Sequence, residues 1–387
     1  MEEKVAIVSC GIIEYEAQNG VGMWNDEATF KASRMALDSI GLEREDIDFV
    51  VISTMDGLDG ITISNGLLAP AAGAYDRSSV RIQTSGVHCL ISGVADILAG
   101  GADLVMVASS DTVAANYQYI TNYNKDVYFR GPLGFNGVQS YGLLAMDYMN
   151  RNSLDDKAYA DAAVKNYQTG YLNPYAHVRK DYSAADVADS EYISWPLRSL
   201  EIGQPSNGAV AFILASEEKA KELTDNPIWI AGIGVASTPY LGSWKELSQM
   251  KALEIASAKA YDMAGINNPR EEIDLVELCN PFAAFELIAY EKLDFCKQGE
   301  AVKMLRDGVT SKGGDLPVNL SGGSICTNPP NSGGLFRIVQ AAKQLNNEFE
   351  EFDTSNARTA LVHDSDMFIG AVGGMSHGVL LLEKGGS

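Results

Sequence analysis

Cysteine and histidine are the side chains of this sequence best suited to nucleophilic or acid–base chemistry, and both are scarce. The 387 residues contain five cysteines and four histidines. No two cysteines have the CxxC spacing of a zinc site, and an odd number of thiols in a long chain does not indicate a disulfide framework. We therefore expect free thiols, no metal site and a reducing, cytoplasmic environment.

The histidines differ in how well their surroundings suit catalysis. His377 lies in the glycine-rich segment GGMSHG, which is predicted to be a loop, and is the best candidate for a general acid or base, because an unperturbed imidazole titrates near neutral pH. The alternative is a structural hydrogen bond. His177 in NPYAHVRK and His363, which precedes Asp364 near the end of a predicted strand, are interpreted as structural residues.

Composition and charge restrict the class of protein. The chain is 46% apolar, enough for a large core, and its length predicts two or three domains. A net charge of −22 argues against nucleic acids and anionic membranes as partners, because phosphate binding requires clustered Lys and Arg. The first residues, MEEKVAIVSCG, predict a strand and not a signal peptide. No apolar run approaches the roughly 20 residues of a membrane helix.

The elements that must position these residues alternate between strands and helices. Buried strands are predicted at Val5–Cys10, Phe49–Ser53, Val80–Ile82 and Leu104–Ala108, with helices over Ala28–Ile40 and Thr84–Ala99. This spacing predicts a mixed or parallel sheet covered on both faces.

The order of elements recurs in the second half of the chain. The segment ALDSIGLEREDIDFVVIS pairs with AYDMAGINNPREEIDLVEL, each a helix end, a glycine and a strand, which is Phe49–Ser53 in the first segment and Leu275–Leu278 in the second. A repeat this long predicts two similar halves and not a solenoid. We expect an N-terminal half over 1–117, a loop or lid domain completing that half over 118–225, and a C-terminal half over 226–387. The Tyr- and Asn-rich part of the middle segment, 116–142, shows little periodicity.

Several long motifs resemble the thiolase superfamily, particularly the class named after sterol carrier protein. YGLLAMDYM, AVKNYQTGYLNPYAHVRK, SAADVADS and PLRSLEIGQPSNGAVAFILAS follow that class in order over Tyr141–Ser216. GGADLVMVAS, NLSGG near residue 319 and the terminal GGMSHGVLLLE add to the agreement. The resemblance extends over nearly the whole chain.

The resemblance implies a fold, a ligand and partners. The fold is α/β, with duplicated halves forming a five-layered αβαβα sandwich and an inserted loop domain. The ligand is a coenzyme A thioester, bound as substrate without a covalently held cofactor. The minimal unit is a homodimer, and some family members assemble with a small zinc-ribbon/OB-fold protein or a second thiolase-like subunit. In the family, a cysteine at a helix N-terminus takes the acyl group and a histidine activates it.

This chain departs from the family at each catalytic position. Aligning the nucleophile motif C-x-S-G places Gln83 where the cysteine belongs, and an amide is not a nucleophile. The H-D-x-F or N-E-x-F turn falls on Cys279-Asn280-Pro281-Phe282. The activating histidine of G-H-P aligns with Pro329, or with Asn328 if one residue is gapped, and a C-terminal cysteine aligns with Ala371.

Two thiols remain as alternative nucleophiles. Cys89, next to His88, would serve only if the strand–helix turn were shifted, and the competing interpretation is a small apolar residue on a buried helix face. Cys279 aligns with a position that faces the active cavity. It could carry an acyl group or a proton if its pKa were lowered, but no base lies beside it in the sequence, so an inert thiol is favoured.

Contacts with coenzyme A are predicted at basic and glycine positions. Arg179 and Lys180 are candidates for the phosphates, with a solvated surface pair as the alternative. The glycine pairs Gly322-Gly323 and Gly373-Gly374 are predicted to let the backbone approach the ligand closely. Because the chain is strongly acidic, the phosphate site must be a local basic or helix-N-terminal pocket.

Three functions are compatible with this pattern. The favoured one is an acyl-CoA-binding, thiolase-like subunit of an acyltransferase or thiolase complex, a pseudoenzyme or a strongly altered centre. The second is an active enzyme that makes or breaks C–C bonds between acyl-CoAs with a non-standard centre, assisted by His377, Cys279 or Asn280. The third is an assembly scaffold without coenzyme A binding.

Overall fold

The computed structural model describes residues 4–17, 22–83, 86–112, 128, 132, 134, 136–155, 157–238, 247–366 and 376–386. The strands in these ranges are β1 Val5–Ala17, β2 Phe49–Ser53, β3 Ser78–Ile82, β4 Leu104–Asp111, β5 Tyr192–Ser194, β6 Leu197–Arg198, β7 Ser206–Ser216, β8 Ile228–Ser237, β9 Leu275–Leu278, β10 Thr359–Ser365 and β11 Ser376–Lys384.

The α-helices of the same ranges are α1 Asn25–Asp38, α2 Asp56–Asp59, α3 Asn65–Ala71, α4 Gly86–Leu98, α5 Gly137–Arg151, α6 Lys157–Leu172, α7 Ala184–Ala188, α8 Glu217–Leu223, α9 Lys251–Ala264, α10 Pro269–Glu272, α11 Ala283–Lys292, α12 Ala301–Arg306, α13 Gly323–Cys326 and α14 Gly333–Leu345. Short 3-10 turns lie at Arg44–Asp46, Ser199–Glu201 and Leu247–Gln249.

The main sheet has the strand order β3-β2-β4-β7-β1-β8-β11-β10-β9. Read outward from the central β1–β8 contact, the order β1-β7-β4-β2 of one half matches β8-β11-β10-β9 of the other. Strand directions match as well, since β7 and β11 are antiparallel to their neighbours whereas β2–β4 and β9–β10 are parallel. The internal duplication inferred from the sequence is therefore present in the topology.

Helices and half-sheets form the five predicted layers. One apolar cluster contains α4, α14 and one face of both half-sheets, which places these two helices in the middle layer. The opposite face of the N-terminal half-sheet packs on α1 and α3, and that of the C-terminal half-sheet packs on α9 and α11. Strands buried on both faces have continuous apolar runs, which is why the sequence located β2 and β9 at their observed bounds.

The two middle helices cross at their first residues, and glycine makes this possible. A Cβ added at Gly86 would lie 2.3 Å from the carbonyl carbon of Gly334, closer than real atoms approach. A side chain at Gly334 would likewise meet the Asp364 carboxylate at 2.1 Å and the Gly86 nitrogen at 2.6 Å. The backbones therefore touch where the two halves meet, and this contact fixes the position of both helix N-termini.

The inserted region differs in part from its prediction. The segment 116–142 was expected to be irregular, yet its end is helical from Gly137 onward. The cause is a capping box, in which the Asn136 side chain accepts from the Gln139 N–H at 3.0 Å and the Gln139 side chain accepts from the Asn136 N–H at 2.8 Å. Residues 113–127 lie outside the described residues, and the domain boundaries at 117 and 225 remain predictions.

Candidate active site at the junction of the two halves

A small cavity lies where the C-terminal ends of β9 and β10 meet the start of α14. Its volume of about 20 Å³ is room for one water-sized group. Its walls are Cys279, Asn328, Pro329, Pro330, Gly333, Gly334, Arg337, Asp364, Ser365 and Asp366. The positions aligned with two family catalytic motifs, Cys279 and Asn328–Pro330, are thus brought together by the fold.

The head of α4, where the family places its nucleophile, is occupied by a carboxylate of the protein itself. The Gly86 N–H donates to Asp364 Oδ2 at 2.7 Å, which satisfies a helix N-terminal donor that has no partner within the helix. Burial raises the pKa of Asp364, against the opposing effects of Arg337 and of the Gly86 N–H. Gln83 precedes the helix and is exposed. Residues 84 and 85 lie outside the described residues.

None of the cysteines has the electrostatic setting of a nucleophile. Burial is the leading cause in every case, and it raises the pKa of all five thiols, to about 12 for Cys10, Cys89 and Cys296. Cys89 is fully buried on the face of α4 that packs between the half-sheets. These observations favour the interpretation of Cys89 as a small apolar core residue.

Cys279 lines the cavity but its thiol is held in the protonated form. Its Sγ donates a weak hydrogen bond to the Ser365 carbonyl at 3.8 Å. Burial raises the pKa of Cys279, and the neighbouring Arg337 guanidinium only partly opposes this. The residue is therefore in the predicted place without the lowered pKa that catalysis by a thiolate requires.

Asn280, predicted beside Cys279, faces away from the cavity into a buried polar network. Its Nδ2 donates to Glu286 at 2.8 Å, and its Oδ1 accepts from the Ser324 N–H at 2.7 Å. Glu286 also forms a buried ion pair with Lys165 at 2.7 Å, which ties α6 to α11. Since its amide already has three partners, counting the Asn166 side chain, Asn280 serves to join these elements.

His377 was expected on a loop and instead lies on strand β11, paired with Ser365 and Ala236. Its imidazole is fully buried and stacks on Phe285. Its Nδ1 lies 3.1 Å from the Nε2 of His363. Side chains alternate along a strand, so both histidines point toward α11 whereas Asp364 points toward α4. Burial, the largest cause, holds the pKa of His363 well below its usual range.

His177 keeps the scaffold role that the sequence suggested. Its Nδ1 lies 2.8 Å from Ser206 Oγ, and that hydroxyl accepts from the Asn328 N–H at 3.0 Å. Burial lowers the pKa of His177. The residue therefore supports the wall of the cavity from behind.

The predicted coenzyme A contacts are placed as follows. Arg179 and Lys180 are exposed, with Arg179 beside Tyr171, Leu172 and Glu351 at a surface depression, and Lys180 over the Tyr182 ring. Gly322 and Gly323 have φ of +91° and +59°, and a Cβ there would meet Gly170 at 2.7 Å and Asn280 at 2.3 Å. Their close approach is thus to the protein's own groups. Gly373, Gly374 and Ala371 lie outside the described residues.

Sequence reasoning overlooked Arg337 and Asp364. Arg337 is 2% exposed in a helix, α14, whose apolar residues are all buried, and its Nη atoms donate to the Gly333 carbonyl and Ser324 Oγ. The signal available in the sequence was a charged residue, Arg337, within the apolar pattern of this helix. Nothing in the sequence could show that Asp364 reaches Gly86, 278 residues away.

Comparison with known proteins agrees with this architecture. Residues 234–383 match the family model described as "Thiolase C-terminal domain-like". The acetyl-CoA acetyltransferase of Methanothermobacter thermautotrophicus is 27% identical over 352 residues, 88% of this chain and 89% of that protein. These similarities support the thiolase superfamily, in its sterol-carrier-protein class, as the family of this chain.

Two further relatives of this thiolase-like chain matter below. The benzoylsuccinyl-CoA thiolase subunit BbsB of Thauera aromatica is 30% identical over 226 residues, 58% of each chain. The solved structure of the "Ltp2-ChsH2(DUF35) aldolase" superposes with a TM-score of 0.84 at 22% identity, covering 98% of this chain and 97% of that one. The fold and these relatives are those of a thiolase-like acyl-CoA enzyme.

Neither a metal cluster nor a membrane span is found in the described part of the thiolase-like chain. No group of three or more His, Cys, Asp or Glu side chains there is arranged to hold a metal ion. None of the helices there is both long and apolar enough to cross a bilayer.

Proposed function

We propose that this chain is the thiolase-like, acyl-CoA-binding subunit of a complex that makes or breaks C–C bonds in acyl-CoA thioesters, and that its centre works without a cysteine nucleophile. The observation that carries the proposal is the state of the thiols: burial raises the pKa of all five, while Asp364 holds the N–H at the head of α4. A thiolate at that helix would face a carboxylate in place of a free donor.

The names of the relatives support a multi-subunit assembly. The Thauera protein is named a subunit, and the name of the solved neighbour joins Ltp2 to a second component, ChsH2(DUF35). By resemblance, the partner of this chain is a small zinc-ribbon/OB-fold protein or a second thiolase-like subunit. We also propose that the chain is cytoplasmic and forms a homodimer. The strand β3 supports the dimer, because it forms an edge of the main sheet and its unpaired backbone groups can pair with a second copy.

Mass spectrometry of the intact chain tests the altered centre. After incubation with acetyl-CoA, we expect no thioester adduct on the wild-type protein. The matched variant Gln83→Cys places a thiol at the family's nucleophile position, and we expect it to gain no acetyl group either, because Asp364 holds the nearby N–H and no histidine aligns there to activate the thiol. An adduct on wild-type Cys89 or Cys279 would show that the chain keeps a cysteine nucleophile and would overturn the proposal.

Co-purification tests the subunit role. The chain, expressed with the candidate zinc-containing partner, should elute with it in fixed stoichiometry by native mass spectrometry, and thiolysis should require both. Turnover by the lone chain would favour the second function, an active enzyme with a non-standard centre. The observation favouring that alternative is the cavity itself, where a buried cation, Arg337, lies next to Asp364 and Cys279. Absence of coenzyme A binding would favour the scaffold.

A further inference from the structure

Arg337 carries a buried positive charge that the described residues do not neutralise by contact. Its side chain is 2% exposed, and its two Nη hydrogen bonds go to neutral acceptors, the Gly333 carbonyl and Ser324 Oγ. Among the described residues its Nε has no acceptor, and no carboxylate forms an ion pair with it. A buried cation without a counter-charge is costly, so such a group indicates a ligand that the site is built to receive.

The two carboxylates whose pKa Arg337 lowers accept their hydrogen bonds from other groups. Arg337 lowers the pKa of Asp364 and of Glu277 against the larger effect of burial. However, Asp364 Oδ2 accepts from Gly86, and Glu277 accepts from the Ser321 hydroxyl and from Gln344 at 2.5 and 2.7 Å. Each carboxylate therefore has donors of its own, and Arg337 lines the cavity without an ion-pair partner among the described residues.

Four of the other walls that the structure describes either lack a donor or donate to the protein itself. Pro329 and Pro330 have no N–H. The Asn328 N–H and Nδ2 donate to Ser206 Oγ and the Gly203 carbonyl at 3.0 and 3.1 Å, and the Cys279 thiol points to the Ser365 carbonyl. The cavity thus has room for one oxygen, and Arg337 in its wall keeps one donor, Nε, that has no acceptor among the described residues.

We propose that this cavity binds the carbonyl oxygen of a coenzyme A thioester, with Arg337 as the group that holds negative charge on that oxygen. The inference rests on the proposed function and names the atom of the substrate that the site recognises. A volume of about 20 Å³ admits one oxygen and excludes an acyl chain. The enolate of the same thioester carries its charge on this oxygen, so a fixed guanidinium stabilises it more strongly than the neutral thioester.

Isothermal titration with two ligands tests the inference on the unmodified protein. Acetyl-CoA has the thioester carbonyl, whereas S-ethyl-CoA has the same length and lacks it. We expect acetyl-CoA to bind about tenfold more tightly, as for one hydrogen bond to a charged group. Equal affinities in the wild-type protein would overturn the inference and leave coenzyme A binding intact. If neither ligand binds, the proposed function fails together with the inference.

Variants then assign the preference to a residue. Arg337→Lys keeps the charge but not the planar donor geometry. It should reduce the preference for acetyl-CoA to less than twofold while S-ethyl-CoA binds as in the wild type. Arg306→Lys, at a surface ion pair with Asp161, should keep the full preference. Equal weakening of both ligands by Arg337→Lys would indicate a structural role and contradict the assignment. If this variant does not fold, the wild-type comparison still decides.

Discussion

At the scale of residues, buried carboxylates distinguish this centre more than its thiols do. Asp111, at the end of β4, accepts from the Asn331 and Ser332 N–H groups at 2.8 and 2.9 Å and from the Ser332 hydroxyl. Burial is the largest cause that raises the pKa of Asp111, to about 7, and the Asp59 carboxylate adds to it. The side chain therefore titrates near neutral pH in the folded protein.

This pKa predicts how stability depends on pH. The raised folded value means that ionisation opposes folding: the contribution of protonated Asp111 is complete below about pH 4 and is lost as pH rises toward 7. Relative to Asp111→Asn, which cannot ionise, the wild-type free energy of unfolding should fall between pH 4 and 8 by up to about 4 kcal/mol. Urea unfolding at several pH values measures this. A constant difference between the two proteins would contradict the prediction.

At the scale of elements, each half of the molecule caps the central helix of the other. Asp111 of the N-terminal half receives the N–H groups at the start of α14, and Asp364 of the C-terminal half receives the first N–H of α4. The helix dipole favours a carboxylate at both sites. As a result, the helix heads, the cavity between them and the junction of the halves form one unit.

The crossing of α4 and α14 gives a prediction about packing. Gly86→Ala should lower the free energy of unfolding by about 3 kcal/mol, because the new methyl group would overlap the backbone of α14. Gly66→Ala in α3 is the matched control, since a Cβ there meets only Ile63 Cγ2 at 3.7 Å. It should be neutral or stabilising by up to about 1 kcal/mol. Chemical denaturation measures the free energy of unfolding of both variants. Similar losses of stability in the two would contradict the close contact between α4 and α14.

At the scale of the whole molecule, the charge of −22 opposes the approach of an anionic ligand. The exposed Arg179 and Lys180 act only at short range, whereas the field of the net charge extends farther at low salt, where the Debye length is longer. The association rate of a fluorescent coenzyme A derivative should therefore rise several-fold between about 20 and 200 mM salt, measured by stopped flow. A rate that falls with salt would show that a local basic patch dominates encounter.

The sequence alone predicted the family, the duplicated α/β fold and the places of its strands, but not all of their bounds, since β1 extends to Ala17 and β4 to Asp111, beyond the predicted Cys10 and Ala108. Apolar periodicity is local, so β2 and β9 were located to the residue. Long motifs identified the class, and alignment placed Cys279 and Asn328–Pro330, which line the cavity. The glycines at 322–323 approach groups of the protein itself, and their predicted contact with coenzyme A stays a prediction.

Only the tertiary structure decided what each candidate side chain faces. His377 lies on a strand and turns toward Phe285, and Asn280 turns into a network with Glu286, because burial and hydrogen bonding depend on elements distant in sequence. The same holds for the raised pKa of the thiols, which follows from desolvation, and for the contact of Asp364 with Gly86. The sequence gives the chemical type of each side chain. Its solvent exposure and its neighbours, which set its pKa and its hydrogen bonds, are determined only when the two halves pack together.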